Sequence, residues 1–244
     1  MFPLLFWSVN MQPLNQGFHR FILGLSSIIS GVGVIFVWSM VNSISMNVRI
    51  GTLVWLISLL AVTIFYWHRQ RIHKWVITIP SLLGILAFYR VLNDMISGDI
   101  ELFGVSLLGG LILCSALFAM ILGHWYLNVV SLPISLLKSS VKFLLLVVIV
   151  RILWDTGFIF MGKVLYNGMP LSMSQFMRTF DGFFLFFALF FGTLLPLVLG
   201  ILTLKTIAIQ STQSATGLLY VIVIAVVMAD LFYKYYLVQV ELPL

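Results

Sequence analysis

The stretch Ala119–Pro133 reads A-M-I-L-G-H-W-Y-L-N-V-V-S-L-P and closes a long apolar run. It contains His124, the one histidine set inside a hydrophobic segment. Residues three and four apart on a helix stack on one face, so His124, Asn128 and Ser131 lie together while Trp125 and Tyr126 point elsewhere. An imidazole in this position suits ligation of haem or a metal, contact with a quinone headgroup, or proton transfer. The plainer alternative is a packed interfacial histidine bonded to backbone or lipid. Each ring nitrogen needs a partner, because unsatisfied polar groups in an apolar layer are costly. His124 is therefore expected to face the interior, with His68, Gln210, Gln213, Ser214 or Thr216 as partners of similar depth. With Trp125, Tyr126 and Asn128 these would make a site for a quinone carbonyl, or for haem b if His68 faces His124.

Charge supplies a second constellation. Arg90 and Asp94, Arg151 and Asp155, and Asp230 and Lys234 are spaced i,i+4, and Arg178 and Asp181 are spaced i,i+3. Both spacings put opposite charges on one helix face. Charges in or near lipid are costly and normally face a bundle interior or pair with one another. The pairs could simply neutralise and orient helix ends. As a shared network they would line a polar vestibule for a proton, an ion or an anionic group. Asp230 follows the apolar run Val221–Ala229 and should be the deepest of the set.

The elements that hold these groups belong to a chain of 244 residues, 62% hydrophobic and 8% charged. A water-soluble domain carries roughly 25% charged residues, so this chain could not cover a water-facing surface, and its main solvent is expected to be lipid. A bilayer-spanning helix needs about 20 mostly apolar residues. By that measure the spans run over residues 21–41, 51–67, 75–92, 102–127, 134–154, 176–204 and 212–237. The alternation over about ten residues that a membrane barrel requires is absent. The expected fold is all-α: one polytopic bundle of about seven transmembrane helices, forming a single domain over residues 1–244. The single cysteine, Cys114, excludes an intramolecular disulfide and a thiolate metal cluster. The start, M-F-P-L-L-F-W-S-V-N, has neither a positive n-region nor a small-residue cleavage site and does not read as a signal peptide.

Orientation follows from the connection H-R-Q-R-I-H-K, residues 68–74, the densest basic cluster in the chain. Basic loops stay in the cytoplasm, which puts the N-terminus inside and the C-terminus outside. Arg20, Arg69, Arg71, Lys74, Lys138, Lys142 and Lys205 then fall on the inner side. All 7 acids, Asp94, Asp99, Glu101, Asp155, Asp181, Asp230 and Glu241, fall at or toward the outer side. The net charge of +6 reflects the same bias and implies no nucleic-acid partner. Ser27 and Gly31 form a small-xxx-small pair suited to close helix packing within the chain or, less simply, to a dimer. Pro196 removes a backbone hydrogen bond from the sixth span and should kink it. The connection from Asp155 to Gln175 is too apolar for a solvated loop and suggests an interfacial helix or re-entrant turn.

The chain has no H-E-x-x-H, no phosphate loop, no cysteine pair and no helix with two histidines at stacked-haem spacing. The inner side also lacks a carboxylate to assist His124, so the balance leans away from an enzyme. The string G-H-W-Y-L at Gly123–Leu127, with Pro133 and Lys138 after it, resembles a pattern in uncharacterised bacterial polytopic membrane proteins. That resemblance implies a bacterial source and no particular activity; for a multi-pass chain from such a source the expected location is the bacterial cytoplasmic (inner) membrane. The first expectation is a non-catalytic membrane subunit of a larger respiratory or electron-transfer complex, with other membrane subunits and the lipid bilayer as partners and a quinone or haem near His124. The alternative is a small transporter or channel that uses the outer charges, although no inverted repeat is visible. A lipid-modifying enzyme at the inner interface is the third.

Overall fold

Long runs of apolar residues with few charges satisfy their backbone groups within one segment only as helices, and that is what they form. The computed structural model describes residues 16–40, 44–69, 72–95, 100–129, 132–166, 169–240 and 242. Ser131, Arg71, Asp99, Glu241 and the N-terminal stretch lie outside the described residues. The helices are α1 (Gln16–Met40), α2 (Met46–Tyr66), α3 (Lys74–Met95), α4 (Ile100–Asn128) and α5 (Ser135–Met161). After them come strands β1 (Lys163–Tyr166) and β2 (Met169–Ser172), the one-turn helix α6 (Met173–Phe176), α7 (Phe180–Leu189), a π turn (Phe190–Leu194), α8 (Leu195–Ala208) and α9 (Thr212–Val240). With α7, the π turn and α8 counted as one span, 7 helices are long and apolar enough to cross a membrane. Their outward faces are apolar too, as with Ile28, Val32 and Ile35 on α1 and Phe180, Phe183 and Phe187 on α7.

The chain divides into two compact units, Met1–Asp99 and Ile100–Leu244. In the first, α2 packs against both α1 and α3. Small and polar side chains mark these contacts. Ser27 Oγ lies 2.9 Å from Thr63 Oγ1, and Trp38 Nε1 donates to Thr52 Oγ1 at 3.1 Å. Ser27 of the small-residue pair thus serves packing within the chain, while Gly31 has nothing near its open side. In the second unit α9 packs on α4, α7, the π turn and α8, and α5 packs on α4 and α8.

The connection after the fifth span is a two-stranded hairpin and one helical turn, not an interfacial helix. α5 runs on to Met161, so Asp155 lies inside it, and Gly162 then takes an extended conformation that ends the helix. β1 and β2 pair antiparallel, from Lys163 opposite Ser172 to Tyr166 opposite Met169. Ser172 starts α6 with a capping box: its hydroxyl accepts from the Gln175 N–H, and the Gln175 side chain accepts from the Ser172 N–H. Val164, Met173 and Phe176 are buried in one cluster with Leu185, Tyr233 and Tyr236, so the hairpin and α6 close over one end of α7 and α9.

The sixth span shows how the chain accommodates Pro196. A proline inside a helix has no N–H to offer the carbonyl four residues back. Here the preceding turn widens instead, and the Leu195 N–H reaches the Phe190 carbonyl five residues back. Thr193 Oγ1 also donates to the Leu189 carbonyl at 2.6 Å.

Candidate functional site

Among the described residues, the buried charge of the second unit is on α5. Arg151 and Asp155, one turn apart, are each only 2% exposed, and Arg151 is among the largest fully buried side chains of the described residues. Arg151 Nε and Asp155 Oδ1 are 2.8 Å apart, but they are not aligned for an N–H···O bond. The contact is a buried ion pair. The other carboxylate oxygen, Oδ2, accepts a hydrogen bond from Tyr233 on α9 at 2.8 Å. The Arg151 guanidinium carbon sits 3.9 Å from the centroid of that same tyrosine ring, a cation–π arrangement. Arg151 Nη1 donates to the Val105 carbonyl of α4 at 3.4 Å, and Nη2 is buried with no hydrogen-bond partner.

Two glycines lie against this cluster, and the one in the π turn is tightly packed. A Cβ at Gly109 of α4 would lie 3.5 Å from Asp230 Oδ1 and 3.7 Å from Arg151 Nη1, so both charges lie close to one point on the α4 backbone. At Gly192, inside the π turn, a Cβ would be 2.6 Å from the Tyr233 ring and 3.0 Å from Ala229. Gly109, Gly192, Arg151, Asp230, Tyr233, Ile112, Val226 and Ala229 surround a narrow crevice. Lys234 pairs with Asp230 at 2.5 Å, and exposure falls from 61% at the Lys234 side chain to 16% at Asp230.

Of the expected charge pairs, Arg151–Asp155 and Asp230–Lys234 form and come together in one place. The other two do not form. Asp94, in the first unit, accepts a hydrogen bond from the Ser45 N–H at 2.9 Å, at the start of α2, and makes no ion pair with Arg90 among the described residues. Asp181 accepts from the Tyr166 hydroxyl, and its carbonyl accepts from Tyr236, which ties the hairpin to α7 and α9 while Arg178 stays exposed. Tyr233, Gly109 and Gly192 were not visible from spacing, because their roles depend on which helices meet.

The histidine site is not assembled as expected. His124 is exposed and does not face the interior of its unit, and its Nδ1 lies 3.5 Å from the Tyr220 hydroxyl. The physical reason is its neighbour. Gly123 takes the buried position against α9, where a Cβ would lie 2.9 Å from Thr216 Oγ1 and 3.4 Å from Leu219. One residue further along, about 100° around the helix, the side chain must turn away. Asn128 is also exposed and donates to the His124 carbonyl at 3.3 Å. Trp125 and Tyr126 are half-buried, and Tyr126 donates to the Pro133 carbonyl. Gln213 is exposed, and Thr216 is buried and donates to Thr212 of its own helix. His68, in the first unit, is exposed with its Nδ1 3.4 Å from Arg20 Nη2.

Among the described residues, Arg151, Asp155 and Tyr233 therefore form the place where buried charge from α5 meets α4 and α9, and they make the better candidate site. The chain matches no family model, no curated protein and no solved structure.

Proposed function

We propose that this chain is a multi-pass protein of the bacterial cytoplasmic membrane whose second unit conducts or transports a proton or small ion past Arg151 and Asp230. One observation carries the reading: a fully buried Arg151–Asp155 pair within an apolar helical unit. Buried ion pairs are often no better for stability than apolar residues of the same volume. Charge kept at such depth in a membrane helix marks a translocation or proton path by default. The membrane reading is supported by the seven apolar spans and their apolar outward faces.

The sidedness that goes with it has the N-terminus and residues 68–74 in the cytoplasm and the C-terminus outside. Exposed His73 and Ser174 mark the two sides. In intact cells an impermeant thiol reagent should label Ser174→Cys and leave His73→Cys unlabelled. The reverse pattern would overturn the orientation.

The full chain, purified in mild detergent and reconstituted in liposomes, should pass current under a proton or salt gradient. Asp230→Asn should reduce that flux, because it removes a charge that lines the crevice. The competing reading is a subunit of an electron-transfer complex, with a quinone headgroup against the exposed His124–Tyr220 pair. Liposomes no leakier than protein-free ones, from a preparation that carries a quinone or haem chromophore, would move the assignment to that subunit.

A further inference from the structure

The first unit gathers positive charge at one end with no carboxylate to meet it. Residues 1–93 contain none of the 7 acids of the chain. Asp94 sits near the C-terminal end of α3 and accepts from the Ser45 N–H at the start of α2. The opposite end of the unit joins the start of α1, the close of α2 and the start of α3, and there lie Arg20, His68, Arg69 and Lys74. Arg20 Nε donates to the Trp67 carbonyl, and its Nη2 lies 3.4 Å from His68 Nδ1. Carbonyls at a helix C-terminus have no partner within the helix, so this bond caps α2 and fixes the Arg20 guanidinium beside His68. Arginine can only donate, so His68 Nδ1 accepts and the proton of the ring is on Nε2. The Arg69 guanidinium carbon sits 4.2 Å from the centroid of the Phe65 ring, which holds it against α2. His68 and Arg69 are exposed. In the second unit, Asp155, Asp181 and Asp230 are already engaged by Arg151, Tyr166 and Lys234.

Resting on the membrane reading above and its sidedness, and not on translocation, we infer that Arg20, His68 and Arg69 seat the phosphate of an anionic phospholipid of the cytoplasmic leaflet. Guanidinium groups hold phosphate oxygens through paired N–H bonds. Cations gathered beside a membrane span attract anionic headgroups. With no acid among residues 1–93, the headgroup supplies the counter-charge that this unit lacks. The surroundings favour a lipid over a free phosphate. Phe21, Ile64, Phe65, Trp67 and Trp75 are large exposed apolar residues at the same end. They give acyl chains a surface, and tryptophan is the residue that settles at headgroup depth. A soluble phosphate could use neither.

Native mass spectrometry of the full chain, released from nonionic detergent at low salt and titrated with phosphatidylglycerol or phosphatidylcholine, tests this one lipid at a time. The first phosphatidylglycerol should bind more tightly than the first phosphatidylcholine. Arg20→Gln and Arg69→Gln should each weaken it by about fivefold, the share of one cation near a membrane surface. Arg20→Lys and Arg69→Lys keep the charge and should keep most of the preference. Arg90→Gln, near the Asp94 end of the same unit, should leave it unchanged. Arg69 caps no helix, so Arg69→Gln still reads the seat if Arg20→Gln loosens α2. Equal affinity for the two lipids in the parent, or a preference that survives both glutamine variants, overturns this inference. Glycerol phosphate that displaces the lipid at similar concentration overturns it too, in favour of a soluble phosphate. A chain that alkaline carbonate strips from liposomes would instead overturn the membrane reading itself.

Discussion

Asp155→Asn should be the most damaging conservative substitution in the chain, lowering stability by about 3–5 kcal/mol, because it leaves the Arg151 guanidinium buried without a counter-charge. Asn can still accept the Tyr233 hydrogen bond, so the loss isolates the ion pair, whose members are each 2% exposed. Tyr233→Phe, which removes one hydrogen bond to a charged acceptor, should cost roughly 1.5–3 kcal/mol. The double variant Arg151→Met/Asp155→Leu should be more stable than either single variant, because no unpaired charge remains. Unfolding of the detergent-solubilised chain, followed by circular dichroism against denaturant, measures each of these variants against the parent. If Asp155→Asn unfolds with the parent, the pair is solvated and the assignment of a buried site fails.

Gly192→Ala should rank next, although it adds a single methyl group. The new Cβ would sit 2.6 Å from the Tyr233 ring and 3.0 Å from Ala229, and neither neighbour is the end of a flexible chain. Forcing one methyl group into a packed contact costs typically about 1–3 kcal/mol. The ring can yield only by drawing its hydroxyl away from Asp155, which adds the loss of that bond. Gly31→Ala on α1 is the matched control, since nothing lies within 4 Å of its open side. There, alanine should stabilise the helix by roughly 0.5–1 kcal/mol. Equal stability of the two variants would mean that the π turn and α9 do not approach as closely as described.

Much of this architecture was legible in the sequence, for a simple reason. A continuous apolar run of membrane length has only one way to satisfy its backbone, so the seven spans could be read from composition and length. The Arg151–Asp155 and Asp230–Lys234 pairs were legible because they are local to a helix face. Their convergence with Tyr233 was not, because nothing in the spacing of one helix says which neighbour it meets. The hairpin carried a usable signal. Asn167-Gly168 between K-V-L-Y and M-P-L-S is a strong two-residue hairpin pattern, and weighing the segment by apolarity alone hides it. His124 was misplaced because an amphipathic argument names a face without saying which side packs. The adjacent Gly123 was the better guide, since small residues mark where membrane helices touch.

The π turn before Pro196 has a consequence for the length of the sixth span. Such a turn holds one more residue than the α-helical turn it replaces, so every face beyond it is rotated by about 100° from where an unbroken helix would put it. Gly192 meets Tyr233 on α9 near the turn, and beyond it Gly200 meets Leu145 on α5, where a Cβ would be 2.7 Å from the leucine. The two glycines address different neighbours, and the extra residue sets the angle between them. Deleting one residue there would rebuild a regular helix and take Gly200 off Leu145 while Gly192 stayed in place. The span is keyed at two points like a stepped shaft, and its residue count is as much a part of the fit as its side chains.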